Sequence, residues 1–225
     1  RMLMHRGVPG TTATAGTTID VTLEALTQLV FTLAGIATLA ALHPDGAWAP
    51  WVQGGVAAMA LGLAGFLVAQ RMAGLRKIEW IAAKLVRVFP RLTLDTVRRL
   101  FIALAERQRQ YAMLARAAAL HLLTLALGVG ETWLALTAMG RPTSLAEALV
   151  IESLGVAVRG AAFAVPGGLG VQEAGFVVVG GLLGVPLDQA IALSMTKRLR
   201  ELAFGLPGLL AWQWMESRRH LRCRR

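Results

Sequence analysis

A chain of 225 residues with 56% hydrophobic and only 16% charged side chains, and a mean hydropathy of +0.58, carries more apolar surface than one soluble core can hide. A bilayer is therefore the expected solvent for much of it. The formal net charge of +10 does not point to nucleic acid, because the basic residues are gathered in blocks that follow a positive-inside bias. Cys223 is the single cysteine, which excludes an intrachain disulfide and a thiolate metal cluster.

The opening Arg1-Met2-Leu3-Met4-His5-Arg6 lacks the ordered regions of a signal peptide, and the chain reads as part of something longer. Residues 17–42 are apolar apart from Asp20, Glu24, Gln28 and threonines. At about 1.5 Å per residue they are long enough to cross about 30 Å of hydrocarbon with tilt. His43-Pro44-Asp45-Gly46 turns the chain, with Trp48 and Trp51 suited to a headgroup interface. A second span is expected over 51–70, where Ala58, Gly62 and Gly65 would admit a close neighbour.

From Arg71 to Arg116 eleven Lys or Arg residues stand against Glu79, Asp95 and Glu106, whereas 43–50 has no Lys or Arg. That asymmetry puts 71–110 in the cytoplasm. Within it Ile78, Ile81, Leu85, Val88, Phe89 and Leu92 follow helical spacing beside Lys84, Arg87 and Arg91. The pattern fits an interfacial amphipathic helix ending near Pro90, and also a cytoplasmic helical pair packed on itself. A third span covers about 111–139 and turns at Gly140-Arg141-Pro142; a fourth covers 187–215, ahead of a basic cytoplasmic tail at 216–225.

Parity decides the region between. Residues 144–165 could cross alone, but 174–185 is only 12 residues, about 18 Å of helix, and cannot. Pairing the two as a re-entrant hairpin from the external side, bent at Pro166-Gly167-Gly168-Leu169-Gly170, leaves the tail cytoplasmic. The fold class expected is an all-α polytopic helix bundle in one membrane domain, 1–225, with that broken hairpin over 144–185.

Irregular backbone at membrane depth is tolerated where protein or a wet cavity surrounds it. Pro166 cannot continue a helix, Gly167, Gly168 and Gly170 permit close backbone approach, and Gln172 and Glu173 follow. The break reads equally as a headgroup site and as a tight packed turn. Gly180-Gly181-Leu182-Leu183-Gly184 adds a small-residue face for helix packing.

A charge at the bilayer centre costs about 2.5–3.5 kcal/mol even on insertion scales, so each is expected to be paired, hydrated or useful. Asp20 and Glu24 share a helix face. His121 and Glu131 stand ten residues apart, about 15 Å along one helix, as a vertical polar path or as separately bonded groups. Arg159 is placed to pair with Glu152 or Glu173. Lys197-Arg198-Leu199-Arg200-Glu201 is the densest group: Glu201 reaches Lys197 and Arg198 on its own helix, and Arg200 needs an anion from Glu173, Glu152 or a lipid phosphate. Snorkelling at an interface is the other reading of this group.

The segments Ile151-Glu152-Ser153-Leu154-Gly155, Ala162-Phe163-Ala164-Val165-Pro166-Gly167-Gly168-Leu169-Gly170-Val171-Gln172-Glu173-Ala174-Gly175 and Thr196-Lys197-Arg198-Leu199-Arg200-Glu201-Leu202 resemble the flippase-like membrane family that includes the transmembrane region of lysylphosphatidylglycerol synthase. Their variants, with Asp20-Val21-Thr22-Leu23-Glu24-Ala25-Leu26-Thr27-Gln28, are most similar to its hopanoid-biosynthesis-associated branch. The resemblance implies a bacterial inner-membrane protein moving polar-headed lipids between leaflets, hopanoids or their precursors among them. It also implies that the chain matches the C-terminal part of longer members. Nothing resembles an aminoacyl-transferase domain.

Lipid translocation is thus the first expectation and a scaffold for hopanoid- or lipid-modifying enzymes, docked through 71–110, the second. An enzyme is not expected, since His121 and Glu131 have no nucleophile, metal-ligand or phosphate-loop spacing beside them. No cofactor, metal or nucleic-acid partner is called for, and no oligomeric state is specified.

Overall fold

The computed structural model describes residues 9–43, 110–161 and 170–222, together with helical positions at 54, 57, 60–62, 64, 65, 68 and 102. It is all-helical, with no strand among the described residues. Five helices are bounded: α1 (Gly10–Leu42), α2 (Tyr111–Ala138), α3 (Leu145–Ala161), α4 (Val171–Leu182) and α5 (Leu187–Arg222). The second expected span is represented only by those helical positions, and 71–110 lies outside the described residues save for 102 and 110. The chain divides into two compact units, 1–128 and 129–225.

In the first unit, α1 starts at Gly10, seven residues before the expected start, because its threonine-rich opening is helical although it is not strongly apolar. Its hydroxyls are satisfied internally: Thr14, Thr17, Thr18, Thr22, Thr27, Thr32 and Thr38 each donate to the carbonyl four residues earlier. A threonine-rich helix can therefore enter a medium that offers no hydrogen bonds. Ala15 and Ile19 pack with Leu23 and Leu114. His121 Nε2 lies 3.2 Å from Asp20 Oδ1.

Both α1 and α2 are long and apolar enough to cross a membrane. Only 6% of the most apolar stretch of α2 is buried, which sets it apart from the core helix of a soluble protein. Leu120, Leu123, Leu127 and Leu134 all face outward.

The second unit is organised by its turns. At the end of α2 Gly140 takes φ +83°, while Arg141 N–H donates to Leu136 O and Gly140 N–H to Thr137 O, a Schellman close. The end of α4 repeats it: Gly184 takes φ +70°, Val185 N–H donates to Gly180 O and Gly184 N–H to Gly181 O. Gly184 thus lies past the helix end, and Gly180 meets Val185 and Ala190 instead of forming one small-residue helix face with it. Helix α3 opens with a capping box, Ser144 N–H donating to Glu147 Oε2 at 2.7 Å and Glu147 N–H to Ser144 Oγ at 3.2 Å.

Helices α3 and α4 pack antiparallel, as the ascending residue of one meets the descending residue of the other: Gly155 with Phe176, and Val158 with Gly175. The same holds for α4 and α5, where Gly180 meets Ala190 and Glu173 meets Arg198. Helix α5 runs for 36 residues, beyond the expected 215, and Pro207 is accommodated within it. Its charged run keeps it out of the apolar spans, but 202–215 carries no charge, and Leu202, Phe204, Leu206, Leu209, Leu210, Trp212, Trp214 and Met215 are exposed.

Close approach at Gly155 is required by Phe176: a Cβ there would sit 2.8 Å from the ring. Gly155→Val is expected to destabilise by about 1–3 kcal/mol through overpacking. Gly181→Ala, where nothing lies within 4 Å, is expected to stay within about 0.5 kcal/mol of the original protein. Thermal unfolding of both variants in detergent checks the contrast.

Candidate functional site

The buried centre of the second unit is a lysine. Lys197 is 3% exposed, with Nζ 2.6 Å from Glu152 Oε2 on α3 and 3.4 Å from Glu131 Oε2 on α2. Thr132 Oγ1 donates to the same Glu152 oxygen at 2.7 Å. The Phe176 ring on α4 stands 5.7 Å from the ammonium, within cation–π range. Three helices converge on one side chain of the fourth.

The neighbours of Lys197 extend this outward. At 100° per residue Arg198 projects to a different side of α5, where its Nη2 donates to Glu173 Oε1 on α4 at 2.7 Å. Arg200 pairs with Glu131, and Arg159 near the end of α3 pairs with Glu201. Among the described residues the cluster holds four carboxylates (Glu131, Glu152, Glu173, Glu201) and four cations (Arg159, Lys197, Arg198, Arg200), whose formal charges sum to zero. Burial is graded: Lys197 and Glu152 are enclosed, whereas Arg159 and Arg200 have side chains 45% and 42% exposed.

Several pairings differ from those read along the chain. Glu201 joins Arg159 rather than Lys197 or Arg198, because those two cations are engaged by other helices. Arg159 accordingly pairs with neither Glu152 nor Glu173. Arg200 takes its anion from Glu131, and no lipid phosphate is needed to neutralise it. The polar path from His121 to Glu131 does not form: His121 meets Asp20 in the first unit, and Glu131 serves α5. Glu24 accepts from Gln28 Nε2 at 3.3 Å, a local contact on α1.

At the start of α4 Gly170 takes φ +78°, the left-handed geometry expected of a glycine beside the break. Gln172 is 3% exposed, and among the described residues neither its Oε1 nor the enclosed Glu173 Oε2 meets a hydrogen-bond donor. Pro166, Gly167 and Gly168 lie outside the described residues.

Arg141 was not among the expected site residues. Its Nη1 and Nη2 donate, each at 2.7 Å, to Gly184 O and Leu183 O, the exposed carbonyls at the end of α4, where a cation also suits the helix dipole. Thr132 and Phe176 were likewise not singled out. A signal for Arg141 was its place between Gly140 and Pro142, where a charged residue follows a helix end.

Among the described residues no group of three or more His, Cys, Asp or Glu is placed to hold a metal ion. Compared with known proteins, residues 1–208 match the family model described as the lysylphosphatidylglycerol synthase transmembrane region. No curated protein and no solved structure matches the chain.

Removing one partner of a buried ion pair strands the other. Lys197→Met is expected to cost about 3–5 kcal/mol, and the double change Lys197→Met with Glu152→Gln to recover most of that loss. Unfolding of the two singles and the double in detergent gives the coupling; additive effects would show that the contact contributes nothing to stability.

Proposed function

The chain belongs to the lysylphosphatidylglycerol synthase transmembrane-region family, a membrane family of lipid-related function, and we propose that it moves polar-headed lipids between the leaflets of a bacterial inner membrane. The observation that carries this reading is the place of the ionic cluster along α5. Between Leu187 and Met215, 29 residues and about 43 Å of helix, the charged run 197–201 lies close to the middle. On one side stand about ten residues of helix, and on the other the uncharged stretch 202–215. Charges at such depth are costly and in membrane proteins mark pathways for polar cargo.

In this reading α3 and α4 form a re-entrant hairpin entered from the external side, and α5 crosses once. Residues 71–110 and the basic tail are cytoplasmic. The short helix α4 begins at the break, as do the half-helices that face cargo in transporters. A headgroup passing the cluster would exchange water for guanidinium and carboxylate partners while the apolar part of the lipid stays in the hydrocarbon. Hopanoids or their precursors are the cargo suggested by the residues shared with the hopanoid-associated branch. The protein acts as a carrier without covalent chemistry. A scaffold for lipid-modifying enzymes is the second reading, favoured by the eleven basic residues between Arg71 and Arg116.

The test is reconstitution of the full chain in vesicles carrying acyl-labelled lipid, with reduction of the outer-leaflet label to follow exchange. Arg200→Gln and Glu173→Gln are expected to slow exchange by about tenfold or more while membrane insertion is kept. Unchanged rates in both variants would sink the proposal. Co-purification of lipid-modifying enzymes, lost on deleting 71–110, would favour the scaffold.

A further inference from the structure

We infer that the headgroup this site accepts is zwitterionic, an anionic group and an ammonium on one lipid, in preference to a simple anion. The inference rests on the lipid-movement reading above and gives the charge class of its cargo, favouring a zwitterionic phospholipid over an uncharged hopanoid polyol. It starts from the balance of four carboxylates against four cations in the cluster. An anionic headgroup entering a neutral cluster leaves the assembly with an extra negative charge in a medium of low dielectric, where an uncompensated charge is costly. A zwitterion leaves the total at zero.

The geometry says where the exchange occurs. Lys197 and Glu152 are closed in by α2, α3 and α4, and opening them would strand both. Two outer pairs are open to an approaching headgroup, Arg200–Glu131, with side chains 42% and 22% exposed, and Arg159–Glu201, 45% and 26% exposed; only the second shares no carboxylate with Lys197. When that pair separates it offers one guanidinium and one carboxylate together. A phosphate or carboxylate satisfies only the first and leaves Glu201 stranded; a headgroup bearing both charges satisfies each end and replaces the ion pair it breaks.

The experiment compares two acyl-labelled lipids with unmodified headgroups, phosphatidylethanolamine and phosphatidylglycerol, in vesicles of one composition containing the full chain. Wild-type protein is expected to exchange phosphatidylethanolamine roughly tenfold faster than phosphatidylglycerol. Glu201→Gln removes one carboxylate and leaves the cluster at +1, so the preference should vanish or reverse in favour of phosphatidylglycerol. Phosphatidylglycerol moving as fast as phosphatidylethanolamine in the wild type overturns the inference while leaving lipid movement intact, and so does an unchanged preference in an inserted, monodisperse Glu201→Gln protein. Should that variant fail to insert, the wild-type ratio alone decides. Movement of neither lipid overturns the lipid-movement reading and this inference with it.

Discussion

A charged side chain carried into an apolar medium must find its opposite or give up its charge, and the second unit is arranged around that requirement at Lys197. Its ammonium is nearly sealed from solvent, so its hydration has to be replaced by protein. Glu152 supplies most of the replacement at 2.6 Å, Glu131 adds a second carboxylate at 3.4 Å, and the Phe176 ring covers another side. Helices α2, α3 and α4 are each committed to α5 by this one residue. The glycines follow from the same demand: Gly155 and Gly175 let α3 and α4 approach closely enough for Glu152 and Phe176 to face one lysine.

The turns fix the far end of the same arrangement. Two Schellman closes stand at the ends of α2 and α4, and Arg141, whose amide completes the first, reaches with its guanidinium to the carbonyls left open by the second. Glu147 joins the capping of α3 to this corner, its Oε1 4.0 Å from the Arg141 guanidinium. Three helix ends are therefore held by one loop arginine and two glycines in left-handed geometry. The ionic cluster gathers residues of all four helices, with Thr132 and Glu131 of α2 meeting Glu152 of α3 and Lys197 of α5.

Element type and much of the boundary pattern were legible in the sequence because helices in an apolar medium must be long, uninterrupted and internally bonded. The segment expected over 111–139 is the helix α2 at Tyr111–Ala138, and the short piece expected over 174–185 is the 12-residue α4, set three residues earlier at Val171–Leu182. The start of α1 was read too late, since threonine raises the polarity of a sequence without exposing a hydroxyl when it bonds to its own helix. The charged residues of the cluster could be named from sequence, but not their partners. Spacing along one helix put Glu201 with Lys197; which helix supplies a nearer carboxylate is decided by tertiary packing alone. Glu131 shows the limit most clearly, because ten residues separate it from His121 on one helix and sixty-six from the Lys197 it bonds.

The gradation of burial within the cluster reconciles two demands that otherwise conflict. A bundle that holds charge in a membrane needs pairs that do not open, and a path for polar headgroups needs pairs that do. Lys197 and Glu152 meet the first demand: they are enclosed and supported by Thr132, so parting them would strand both. Arg159 and Glu201 fit the second, being half-exposed on the arginine side and sharing no carboxylate with Lys197. Arg200 is intermediate, because Glu131 keeps Lys197 nearby when Arg200 turns away. In the lipid movement proposed above, opening Arg159–Glu201 would leave Lys197 and Glu152 joined, so that a headgroup could exchange partners at the rim without unfolding the core that presents them.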